Sequence, residues 1–212
     1  MNAILEELSL KMQAGKVKDV KALTTQALEE KIPAEEILND GLLSGMSVIG
    51  EKFKNNEVYV PEVLIAARAM KAGMELLKPY LTDANAKPLG KACIGTVYGD
   101  QHDIGKNLVK LMLEGKGIEV VDLGVNVPAE TFVATAKNEG CQLICCSALL
   151  TVTMGAMKDV VDLCEKEGIR DQVKIMIGGA PITDEYCAEI GADAYTSDAA
   201  SAADKAVELL TK

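Results

Sequence analysis

The chain predicts an α/β protein in two parts: a helical bundle over residues 1–81 and a five-stranded parallel sheet domain over 91–212. Three observations predict it. Apolar residues recur at helical spacing through the first 81 positions. From Lys91 onward, short β-branched runs alternate with helical stretches. Between them, Leu81 to Gly90 is small, polar and broken by Pro88, so residues 82–90 read as a linker.

In the first part, Ile4, Leu5, Leu8 and Met12 fall on one helical face, and Gly15 stops that helix. A second helix carries Val17, Val20, Leu23, Ala27 and Leu28. Pro33 is placed to start a third, because a first-turn proline forfeits no helical hydrogen bond. Its face is Leu38, Leu42, Met46, Ile49 and Phe53. Pro61 starts the fourth, with Val63, Ala67, Met70, Met74 and Leu77. Four amphipathic helices on short connections predict an antiparallel bundle. The charges at Glu29, Glu30, Lys31, Glu35 and Glu36 read as a solvated face.

In the second part, strands are expected over 91–97, 118–123, 141–147, 173–177 and 192–196. Helices are expected over about 105–116, 128–139, 153–167, 183–190 and 198–211. Asn126 is expected to cap the second of these and Thr183 the fourth. Repeated β-α units predict a parallel sheet covered on both faces, in the flavodoxin-like (Rossmann-like) order 2-1-3-4-5. In that order the first and third strands meet at a switch point, where a ligand crevice opens at their carboxyl ends.

Composition narrows the function classes. With 49% apolar residues the chain is globular, and a net charge of −10 argues against a nucleic-acid partner. No apolar run approaches a bilayer span and no leader precedes the first helix, so a cytoplasmic protein is expected. Six cysteines lack CxxC spacing, and buried free thiols are the expected state in a reducing compartment.

The one histidine of the chain, His102, lies in Gly99-Asp100-Gln101-His102-Asp103-Ile104-Gly105, between the first strand and its helix. Imidazole is the commonest metal ligand, and its other ring nitrogen usually donates to a carboxylate. Asp100 can be that carboxylate. Asp100-x-His102-x-x-Gly105 resembles the DxHxxG signature of the cobalamin-binding domain of methionine synthase and of the corrinoid proteins of anaerobic methyltransferase systems. Two further pieces follow in order, Ser147-Ala148-Leu149 and Gly178-Gly179, and the helical part is similar to the cap of those proteins. The resemblance implies that His102 is the lower ligand of cobalt, with Asp100 and Thr153 completing a proton relay. It implies that Ser147, Leu149, Thr151, Gly178, Gly179 and Ala180 line a slot for the displaced nucleotide tail. Phe53 and Val60 fall where the cap of methionine synthase covers the upper face of the corrin. Two departures stand out. Val152 replaces the proline of methionine synthase, and Val60 replaces a leucine.

The function this resemblance implies is that of a corrinoid methyl carrier, with cobalamin or a related corrinoid cycling between cob(I)alamin and methylcob(III)alamin. A substrate-specific methyltransferase would supply the methyl group, a second methyltransferase would take it to tetrahydrofolate or a thiol coenzyme, and a reductive activase would restore the cobalt. The cap would swing about residues 82–90 at each transfer. Neither a membrane nor a nucleic acid enters this scheme. The alternatives are a cobalamin-binding subunit of a mutase, which would need a large catalytic barrel, a cobalamin-dependent sensor, and a flavodoxin-like electron carrier.

Overall fold

The computed structural model describes residues 2–81 and 88–211, so most of the expected linker lies outside the described residues. The chain divides into two compact units, Met1–Lys87 and Pro88–Lys212.

The first unit is a bundle whose helices meet through small residues. Helix α1 (Ala3–Gln13) is capped by Asn2, whose side chain accepts from Ile4 N at 3.1 Å, and it buries Leu5, Leu8 and Met12. Helix α2 (Val17–Glu29) buries Val20 and Ala27. The expected third helix is interrupted: α3 (Ala34–Glu36) runs into a wide π turn over Ile37–Leu43 and then into α4 (Ser44–Lys54). The wider turn rotates the apolar stripe, so Ile37 is buried where the spacing favoured Leu38, which is only half-buried. Gly41 and Gly45 then lie under α1, where a Cβ would stand 2.6 Å from Leu8 Cδ2 and 2.5 Å from Met12 Cε. Helix α5 (Val60–Leu77) has Pro61 in its first turn, as expected, and Glu62 accepts from the Tyr59 N–H at 3.0 Å.

The second unit is the expected doubly wound sheet. Strands β1 (Lys91–Val97), β2 (Glu119–Val127), β3 (Leu143–Ser147), β4 (Lys174–Gly178) and β5 (Ala194–Tyr195) are all parallel, in the order β2-β1-β3-β4-β5. Helices α6 (Ile104–Glu114) and α10 (Ala199–Thr211) pack together, as do α7 (Ala129–Glu139) and α8 (Gly155–Lys166), and α8 also meets α9 (Asp184–Ile190). The core is mainly aliphatic, and Ile144, Ile175, Val160 and Val161 share one buried cluster with Phe132. All six cysteines are free and buried.

Strand β2 runs four residues beyond its expected end because its pairing with β1 slips between Ile94 and Gly95. The slip is held by Asp122, whose Oδ1 accepts from Gly124 N at 2.9 Å and from Lys106 Nζ at 2.6 Å. Thr183 caps α9 as expected, accepting from Tyr186 N. Asn126 does not cap α7. That helix begins after Pro128 without a side-chain cap, and the Asn126 side chain turns to the loop after β1.

Candidate functional site

Register brings the separated motifs into one line. Thr96 of β1 pairs with Ser147 of β3, which pairs with Gly178 of β4, so three strands end together at the carboxyl edge. The loops that follow them carry Gly99–Gly105, Ala148–Thr153 and Gly179–Ala180.

Asp100 is the buried centre of this edge, with no exposed surface. Its Oδ1 lies 2.7 Å from His102 Nδ1 and accepts from His102 N at 3.1 Å. Its Oδ2 accepts from Leu149 N at 2.7 Å, Leu150 N at 3.1 Å and Thr153 Oγ1 at 2.9 Å. Burial by itself would raise this carboxyl. The hydrogen bonds from His102, Leu149 and Thr153 outweigh it and hold Asp100 well below the usual carboxylate range. An ionised carboxylate only accepts, so the proton between Asp100 and His102 resides on Nδ1.

In the neutral ring, Nε2 then carries the lone pair. The His102 side chain is 52% exposed, and Nε2 has no hydrogen-bond partner among the described residues. The Thr153 hydroxyl also lies 2.8 Å from Leu150 O; it has one proton for two acceptors and shares it between them. Gln101, Asp103, Ile104 and Gly105 are all exposed around the ring. Apolar side chains stand open on the same rim: Tyr98, Ile104, Leu149, Leu150 and Val152, the last 86% exposed.

The residues expected to line a slot divide by what surrounds them. At Gly105 and at Gly178, a Cβ would meet nothing within 4 Å, so both border open space. Gly179 has the opposite character: at φ +138° its Cβ would collide with the Ala148 carbonyl, so it serves close packing. Ser147 is half-buried and Thr151 exposed. Phe53, in the last turn of α4, and Val60, which opens α5, are half-buried residues of the helical unit.

Two positions here went unassigned to the site from sequence. The buried Thr96 hydroxyl donates to His102 O at 2.8 Å, fixing the backbone beneath the ring. Asn126 Oδ1 accepts from Gly99 N at 2.8 Å. A β-branched residue in a strand and an Asn two residues ahead of a Pro carry no local signal of such roles.

Two family models, each described as a B12 binding domain, match residues 4–78 and 90–207. The chain belongs to the B12-binding corrinoid proteins. Among relatives, dimethylamine corrinoid protein 2 of Methanosarcina acetivorans is 42% identical over 208 residues, covering 98% of this chain and 96% of its own. The chain also matches the crystal structure of the methanol:cobalamin methyltransferase complex MtaBC from Methanosarcina barkeri. That match has TM-score 0.90 and 29% identity, over 99% of this chain and 80% of that one. A cobalamin-binding protein of Desulfitobacterium hafniense matches with TM-score 0.80 and 29% identity, over 97% and 98%.

The residues fit the cofactor of this family. A bare ion takes about three or more protein ligands, and the described residues hold no such cluster of His, Cys, Asp or Glu. A single free imidazole nitrogen suits a metal that arrives with its own equatorial ligands. The open apolar rim and the bare edges at Gly105 and Gly178 suit a large, flat macrocycle with an extended arm. Among the described residues no helix is long and apolar enough to cross a membrane.

Proposed function

We propose that this chain carries a methyl group on the cobalt of a bound corrinoid, receiving it from a donor on a partner methyltransferase. A second methyltransferase takes the group to its acceptor, and a reductive activase restores the cobalt. The observation that carries this reading is the His102 ring, tied at Nδ1 to Asp100 and free at Nε2 on an open sheet edge. When bound, the corrinoid supplies a cobalt that takes up and releases a methyl group.

The chain's own residues do three things in this reading. Asp100 keeps the proton on Nδ1, so that Nε2 of the neutral ring would be the atom to hold the metal. Thr153 and the Leu149 and Leu150 amides hold the Asp100 carboxylate still while the demand on Nε2 changes. Ser147, Thr151, Gly178 and Ala180 border the slot for the nucleotide arm. A cytoplasmic location accompanies this reading, since the thiols remain free.

Two experiments test it. His102→Gln, loaded with hydroxocobalamin, is expected to retain the corrinoid through the slot while its visible and redox spectra shift. Spectra identical to the native protein would remove His102 from the metal. Methylcobalamin-loaded protein is expected to lose its methyl group to a methyltransferase encoded beside it; no transfer with any neighbouring methyltransferase would sink the carrier reading.

A further inference from the structure

Asn126 stands at φ +55°, in the left-handed region, near the end of β2. From there it makes two bonds to the loop that carries His102. Its Oδ1 accepts from Gly99 N at 2.8 Å, and its own N–H donates to Asp100 O at 2.8 Å. Asp100 N in turn donates to Val97 O at 3.1 Å. The peptide groups just ahead of His102 are thus held from two strands at once.

The side chain at 126 is exposed, so little core packing depends on it. A glycine would occupy the left-handed backbone with less strain than asparagine. What asparagine adds is the oxygen that receives the Gly99 amide, at a position where Gly99 itself turns through φ +84°. We infer that Asn126 is a positioning residue for His102: it clamps Gly99 and Asp100 so that the Asp100 carboxylate faces Nδ1 and Nε2 faces outward. Its use to the protein rests on the reading of Nε2 as the cobalt ligand, while the clamp itself is a property of the polypeptide.

The chain has one histidine, so ring ¹⁵N resonances of the protein without corrinoid report His102 alone. Asn126→Gly keeps the left-handed backbone and the bond to Asp100 O and removes only the Oδ1 acceptor. Asn126→Asp keeps an acceptor at the same place. In Asn126→Gly, Gly99 amide exchange is expected to accelerate on the order of tenfold, the scale of one lost hydrogen bond. The His102 ring is expected to leave the pure Nδ1–H tautomer, and hydroxocobalamin affinity to weaken about tenfold, one lost hydrogen bond's worth. Asn126→Asp is expected to restore all three. A native tautomer and native Gly99 exchange in Asn126→Gly would overturn the inference, as would an Asn126→Asp protein that fails alongside it. These ring and amide readouts separate the two ideas: a native spectrum in loaded His102→Gln sinks the cobalt reading and leaves the clamp standing.

Discussion

The glycines of the helical unit and those at the carboxyl edge of the sheet do opposite work. In the bundle, Gly41, Gly45 and Gly73 lie where a Cβ would press within 3 Å of Leu8, Met12 and Leu42, so each lets two helices approach. At the sheet edge, Gly105 and Gly178 face nothing within 4 Å. A missing side chain in the bundle is already filled by a neighbour. At the edge it is left as room. Close packing and open space thus use the same residue type, and only its surroundings tell them apart.

Four substitutions would break or sharpen this contrast. The largest effect is expected at Gly179, the edge glycine that behaves like a bundle glycine. Gly179→Ala drives a methyl into the Ala148 carbonyl and should destabilise the sheet unit by about 4 kcal/mol or more, read as a fall in the urea midpoint. A change below about 1 kcal/mol would show the β3–β4 edge to be far more yielding than its packing implies.

Asp122→Asn comes next. Lys106 is buried, its side chain 2% exposed, and it would lose the anion that pairs with it at 2.6 Å. The expected loss is about 2 kcal/mol, less than for a wholly buried pair because the Asp122 side chain is 26% exposed. Burial opposes ionisation of Asp122, but bonds from Lys106, the Gly124 amide and Lys110 hold its carboxyl below the ordinary value. The unfolded chain therefore takes up this proton more readily than the native one. The stability it contributes is complete above about pH 4–5 and drains as pH falls through the depressed native value. Acid unfolding curves should accordingly converge for native and Asp122→Asn proteins at low pH and diverge toward neutrality.

Gly45→Ala should cost about 1–3 kcal/mol through overpacking against Met12 and the Ser9 carbonyl, partly relieved because the Met12 methyl can turn away. Gly105→Ala is the smallest in stability and the sharpest for function. With open space around it and a helical backbone, the protein without corrinoid should change by no more than about 0.5–1 kcal/mol, in the stabilising direction. Hydroxocobalamin affinity should nevertheless drop, because the methyl occupies the guest's room. Equal affinity for native and Gly105→Ala proteins would show that the space at Gly105 is unused.

Much of the fold was legible because its signals are local. Alternating β-branched runs and helical stretches placed the strands and their order, and Thr183 and Pro61 marked the helix starts they were expected to mark. Where the reading departed from the structure, a distant contact had decided. Leu38 gave way to Ile37 because the π turn over Ile37–Leu43 shifts the stripe that meets α1. Asn126 left its helix-capping role because the Gly99 amide, 27 residues earlier, offered it a partner. Strand β2 outran its expected end across a slip in its pairing with β1, where Asp122 meets Lys106 of α6.

Residue type and spacing alone determined that this chain has one imidazole, that a carboxylate stands two residues before it, and that a strand and a helix flank them. The imidazole and the carboxylate beside it are fixed by the covalent chain, and the strand and helix follow from local residue pattern. Which ring nitrogen is free was decided only by folding. That depends on amides from Leu149 and Leu150 and a hydroxyl from Thr153 converging on Asp100, groups some fifty residues away that meet it because parallel strands end in register.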